Sequence, residues 1–92
     1  MRIRWLAEAS TDLDNIEAFI APDNPAAAIN TVREIVRTVG RLKDHPASGR
    51  PGRVSGTREL VIPGKPYIVP YRVKDNIIEI LRVFHTSRRI PI

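Results

Sequence analysis

The residues with most chemical potential in this chain are arginines and one histidine, and they crowd into its second half. Arg50 and Arg53 stand in a Pro/Gly/Ser-rich stretch. Arg58, Arg72 and Arg82 lie within three apolar runs, and His85, Arg88 and Arg89 in the closing segment. Arginine carries a fixed, permanently charged fork that fits phosphate, and histidine changes charge near neutrality. A groove lined by such groups suits RNA, including cleavage by the strand's own 2′-hydroxyl. That reaction needs a base for the hydroxyl proton, cations for the charged phosphorane and an acid for the leaving oxygen. On this reading His85 moves a proton, and Arg58, Arg82 and Arg88 complete the catalytic group by stabilising charge. Arg50, Arg53, Arg72 and Arg89 contact RNA or a partner. Tyr67 or Tyr71 adds a ring that can stack on a base, although a buried role suits Tyr71 better.

Other chemistries lack their residues. There is no phosphate-binding G-x-x-x-x-G-K-[ST], no G-x-G-x-x-G and no H-E-x-x-H. The only histidines, His45 and His85, are far apart, and the chain has no cysteine, so neither a metal site nor a cofactor is expected. Ser10, Ser48, Ser55 and Ser87 occur outside any G-x-S-x-G elbow. His45, next to Pro46, reads as a helix C-terminal cap.

Charge distribution supports an anionic partner. The formal net charge is +5. Residues 1–46 carry six Lys/Arg and seven Asp/Glu, giving −1, whereas residues 47–92 carry nine and three, giving +6. Nucleic acid and an acidic protein segment both fit that half, and a merely solvated basic face is the plain alternative. The 92 residues suit a single domain spanning 1–92. The absence of cysteine fits a reducing cytosol, no apolar run approaches a membrane span, and MRIRWLAEAS is too short and polar for a signal peptide. A cytoplasmic protein is expected, with no membrane association.

The elements that must position these groups follow from periodicity. Ile3 and Trp5 alternate with Arg2 and Arg4, as in a half-buried strand. Leu13, Ile16, Phe19 and Ile20 recur at helical spacing over Ala7 to Ala21, with Asp12, Asp14 and Glu17 on the polar side. After Pro22-Asp23-Asn24, the Asn24-Pro25 pair opens a second helix whose stripe is Ala28, Ile29, Val32, Ile35, Val36, Val39 and Leu42, running to about Lys43. Residues 46–57 read as a long loop. Three strands follow, Arg58–Ile62, Tyr67–Val73 and Ile77–Phe84, separated by turns at Pro63-Gly64-Lys65-Pro66 and Lys74-Asp75-Asn76. Short connections favour an antiparallel meander, and Pro70, which has no N–H, forces an irregularity in its strand. The sum is an α+β fold, a small twisted antiparallel sheet with an N-terminal helical hairpin on one face. The other sheet face is left for a charged groove.

The combination of G-R-P-G-R, T-R-E-L, P-Y-I-V-x-Y-R-V and I-L-R-V-x-H-x-x-R, in this order, resembles the C-terminal half of toxins of the RelE/ParE superfamily. The preceding W-x-x-x-A and DLDNIEAFIAPDNPAAA resemble their helical hairpin. The resemblance covers nearly the whole chain and implies the same fold. It also implies a toxin of a bacterial type II toxin–antitoxin pair, neutralised by an acidic cognate antitoxin that contacts promoter DNA for the complex. RelE-like members cut mRNA on the ribosome and ParE-like members poison DNA gyrase. Arg58, Arg82, Arg88 and His85 resemble the basic cluster of the mRNA-cleaving branch, which makes a ribosome-dependent mRNA endonuclease the first expectation. A gyrase inhibitor without catalysis is the alternative. The chain departs from the cleaving branch in having no lysine pair in the sheet runs, Lys65 and Lys74 lying in turns, and no tyrosine after Tyr71.

Overall fold

A computed structural model of the protein describes residues 1–87. Strand β1 (Arg2–Trp5) leads into helix α1 (Ala7–Ile20) and helix α2 (Pro25–Gly40), which ends in a 3-10 turn over Arg41–Lys43. Strands β2 (Arg50–Pro51), β3 (Arg58–Val61), β4 (Tyr67–Lys74), β5 (Ile77–Ile80) and β6 (Phe84–His85) complete one sheet. No helix among the described residues is long and apolar enough to cross a membrane.

The helix signals act as the sequence implies. The Asn24 side chain accepts a hydrogen bond from the Ala27 N–H at 3.0 Å, with Pro25 at the first helical position. The apolar stripes bury only in part. Ala28, Ile35, Val39 and Leu42 are buried with Ala9 of α1, and Leu13 and Ile16 pack beside them. Phe19, expected in the stripe, is 78% exposed, and Ile29 and Val36 also face outward. Sheet residues Ile62, Tyr67, Val69, Tyr71, Ile78, Ile80 and Val83 meet the helices and complete this core. Full burial of one such side chain stabilises by about 1.5–3 kcal/mol.

The sheet is mixed, a departure from the all-antiparallel expectation. Its order is β1-β5-β4-β3-β2, with β6 also on β4. β1 runs parallel to β5, from Arg2 opposite Ile77 to Trp5 opposite Ile80, because the helical hairpin carries the chain back across the sheet before the meander begins. The meander itself is antiparallel. Asp75 and Asn76 both take positive φ, 52° and 64°, and close the two-residue hairpin between β4 and β5. Strand β2 is a second addition, since the loop reading of residues 46–57 overlooked a two-residue pairing too short to show a period.

The expected strand Ile77–Phe84 is broken. Tyr71 stands opposite Ile80 and Ile68 opposite Phe84, so two residues of β4 (Val69 and Pro70) face three between β5 and β6. That extra residue is a bulge. It lies beside Pro70, which accepts from the Leu81 N–H at 3.0 Å but has no N–H to return. The bulge lets both Ile80 and Val83 face the core.

Beyond β3 the loop is anchored by Tyr71. Its phenol donates to the Pro46 carbonyl at 2.7 Å and accepts from the Gly49 N–H at 2.9 Å. A Cβ on Gly49 would lie 2.6 Å from the Tyr71 ring. Replacing Tyr71 with Phe strands the buried Gly49 N–H and is expected to cost about 1–3 kcal/mol in urea unfolding. Gly49→Ala, which forces the ring to move, is expected to lower stability in the same assay, and an unchanged midpoint in either variant would refute this anchoring role.

Candidate functional site

The broken strand and α1 enclose the first part of the site. The Asp12 carboxylate, on α1, accepts from Arg82 Nε at 2.8 Å and Nη2 at 3.1 Å, and from the Val83 N–H at 2.8 Å. Glu8, one turn earlier, lies 3.6 Å from the same guanidinium. The Arg82 head also sits over the Phe84 ring, 4.7 Å from its centroid, so the two share a face as the alternation implies. The hydrogen bond to Asp12, with the nearby carboxylate charges, raises the Arg82 guanidinium above its ordinary pKa. Next to this knot Asn15, Ile16, Phe19, Tyr67, Val83 and His85 line a small cleft with Asp12.

His85 pairs with Tyr67 across the strands and stands edge-on to its ring at 5.3 Å. Its Nδ1 lies 3.1 Å from the Ser87 N–H, which donates to it, and 2.7 Å from the Ser87 hydroxyl. In this arrangement Nδ1 accepts, and Nε2 is the ring nitrogen not engaged by Ser87. The Tyr67 ring is buried, 6% exposed, and offers little face to a stacking base. Tyr71 is wholly buried, as read.

The other arginines are spread apart. Arg58 stands opposite Tyr71 and so on the helix side of the sheet edge, where its guanidinium donates to the carbonyls of Gly49 (2.8 Å) and Ala47 (3.3 Å). Tyr71 and Tyr67 are four residues apart on β4, about 13 Å, so Arg58 and His85 do not meet. On the open face, Arg72 Nε donates to Glu79 at 2.6 Å, and Arg4 reaches the same carboxylate at 3.2 Å. Arg50 pairs with Glu59 at 3.3 Å, and Glu59 also accepts from the Arg53 N–H at 3.3 Å. Arg88 and Arg89 lie outside the described residues. The structure thus brings Arg82 and His85 to one end of the sheet, and leaves Arg58, Arg50 and Arg72 elsewhere.

Three acidic residues matter that the basic reading passed over. Asp12 counted only as helix polar face, and Glu59 and Glu79 were given no role. Glu59 and Glu79 are both buried, and a buried carboxylate in a strand signals a cross-strand arginine. The identity of that arginine depends on register, which is not legible before pairing is known.

A family model described as "ParE toxin of type II toxin-antitoxin system, parDE" matches residues 3–90. The chain belongs to this family. The ParE-family chain is 48% identical over 90 residues to a putative toxin, Y4kP, of Sinorhizobium fredii, covering 98% of this chain and 93% of that one. It is 28% identical over 87 residues to Toxin RelE2 of Caulobacter vibrioides, covering 95% and 97%. Among solved structures, a chain of the chromosomal ParDE system of P. aeruginosa superposes with a TM-score of 0.88 at 33% identity, covering 95% of this chain and 97% of that one. A chain of the RelBE2 toxin–antitoxin complex of Mycobacterium tuberculosis superposes at 0.65 and 26% identity, covering 91% and 95%. The α+β fold, a sheet with two helices on one face, is shared with these chains over 91–95% of this one.

Two measurements probe the ionic knots. Asp12→Ala leaves Arg82 and the Val83 N–H without their acceptor and is expected to cost about 1–3 kcal/mol after allowance for the part-exposed arginine. Asp12→Asn, which keeps one acceptor oxygen, should recover part of the loss in thermal unfolding, and equal losses in both variants would argue against the Val83 contact. The Glu79 carboxyl is held below its ordinary value of 4.5, chiefly by the Arg72 hydrogen bond. Its contribution to stability is accordingly present above that value and lost as pH falls below it. Glu79→Gln should flatten the acid limb of a stability–pH curve, and an unaltered limb would show that Glu79 is not its source.

Proposed function

We propose that this ParE-family toxin arrests growth by binding DNA gyrase, without cutting RNA, and that an acidic cognate antitoxin restrains it. The observation that carries this reading is the state of the arginines. Arg82 is committed to Asp12, Arg72 to Glu79, Arg50 to Glu59 and Arg58 to two backbone carbonyls. A phosphorane needs cations that converge on one atom, arranged beforehand and free to respond as charge develops. These four are dispersed and each already has an acceptor. A toxin that only binds needs no such convergence. The nearer likeness to the P. aeruginosa ParDE chain than to the RelBE2 chain supports the same branch.

The antitoxin is proposed from the family and from the two similar chains, both of which come from toxin–antitoxin systems. Its acidic segment meets the basic half of the toxin, and sequence-specific reading of promoter DNA falls to the antitoxin. Gyrase and antitoxin both place the action in the cytoplasm.

One observation favours the ribosome-dependent mRNA endonuclease that the sequence brought first. His85 is half-buried at the cleft, with Nδ1 fixed and Nε2 left to carry a proton. Two assays with purified toxin separate the readings. The expected result is loss of gyrase supercoiling of relaxed plasmid, with no new 5′ ends in primer extension on ribosome-bound mRNA. New cuts at ribosome-occupied codons that vanish in His85→Ala, with supercoiling untouched, would overturn gyrase binding in favour of cleavage.

A further inference from the structure

The sheet face turned away from the helices carries two short ladders of cations. Arg4, Glu79 and Arg72 are consecutive cross-strand neighbours on β1, β5 and β4, and their ion pairs place all three on one face. Side chains two residues apart on a strand share a face, so Arg2, Ile77 and Lys74, the next row in register, lie beside them. Ile78 and Ile80, the alternate residues of β5, are wholly buried on the helix side. The result is Arg2 and Arg4 on one flank, Lys74 and Arg72 on the other, and one carboxylate between.

We propose that this face binds the phosphate backbone of duplex DNA directly and without regard to sequence. Four cations face a single carboxylate, which is only 10% exposed, while the Arg4 and Arg72 side chains are 62% and 43% exposed. Glu79 uses one Nη of Arg4 and the Nε of Arg72, so each fork keeps further N–H groups outward. The carboxylate holds the two guanidinium heads in place and lowers the ordering entropy that an anion would otherwise have to overcome. Within a ladder the cations are about 6.8 Å apart along the strand, and the ladders are separated by about 9.6 Å, two strand spacings. The first interval is comparable to that between successive phosphates of one nucleic-acid strand.

The same face argues against single-stranded nucleic acid. Single-stranded nucleic acid is held by aromatic rings on which bases stack, and none of Arg2, Arg4, Arg72, Lys74, Ile77 or Glu79 is aromatic. Arginine and lysine side chains of this kind reach phosphate, and phosphate contacts carry no sequence information. The acidic residues Glu8, Asp14 and Glu17 lie on α1, on the opposite side of the sheet. A polyanion is therefore drawn to the open face in preference to α1. Sequence reading by the antitoxin and phosphate contact by the toxin are compatible, and the inference does not depend on the gyrase reading.

The test is fluorescence anisotropy of the free toxin with short duplexes of unrelated sequence, titrated at several salt concentrations. Equal affinities across sequences are expected, with log affinity falling against log salt at a slope of about −3.6 when all four cations sit on phosphates. Arg2 and Lys74 are exposed and, among the described residues, make no ion pair. Arg2→Ala with Lys74→Ala should keep the unfolding curve and reduce the slope to about −1.8. Arg2→Glu with Lys74→Glu should abolish binding at moderate salt. Four outcomes would overturn the proposal: no duplex binding at low salt, tighter binding of single-stranded RNA or of polyglutamate, a slope unchanged in the Arg2/Lys74 variants, or the whole effect moving to Arg88→Ala with Arg89→Ala. Because the assay holds only toxin and duplex, its failure leaves gyrase inhibition standing, and a failed supercoiling assay leaves DNA binding standing.

Discussion

The Asp12 carboxylate is the contact on which the arrangement of helix and sheet turns. It is 13% exposed and takes three hydrogen bonds, two from the Arg82 fork and one from the Val83 backbone. A charged acceptor shared by a fork and an amide is stronger than a neutral pair. It exists because Pro70 interrupts the ladder. The bulge opposite that proline turns the Val83 N–H out of the sheet, toward α1, where only a side chain can accept it. A local backbone defect thus becomes the point that fixes the helix at the end of the sheet where His85 and the cleft lie.

The same economy of charge recurs across the molecule. Glu59 and Glu79 are buried carboxylates, the first covered by Arg50 and the second by Arg4 and Arg72, all from neighbouring strands. Buried carboxylates are costly unless paired. Once they are paired, the arginines above them are held at defined places. Their remaining donors still face solvent, so the surface stays basic although no arginine in these pairs is idle. Such fixed cations recognise a partner of matching charge pattern better than they follow a reacting atom.

Much of the architecture was legible in the residues. The Asn24-Pro25 helix start, the Asp75-Asn76 turn, the disturbance at Pro70 and the burial of Tyr71 each have a local cause, and each is found where the sequence puts it. Non-local features were less accessible. The parallel β1–β5 pairing links residues 75 apart in the chain, and no periodicity encodes it. Phe19 fits the apolar stripe by spacing, yet it is exposed, since period alone does not tell how wide the buried face is. For the site, arginine type was readable and arginine partnership was not. The chemistry read into Arg58 and Arg82 presumed free guanidinium groups, and whether they are free is decided by Asp12 and by the Ala47 and Gly49 carbonyls.

The parallel pairing of β1 with β5 has a consequence for synthesis. A chain emerges from the ribosome N-terminus first, and Arg2–Trp5 must wait for Ile77–Ile80 before finding its neighbour. Until then the helical hairpin has no complete sheet to cover, and its apolar stripe stays accessible. Contacts this distant in sequence slow folding. The sheet is therefore completed only after Ile77–Ile80 has been made, late in synthesis.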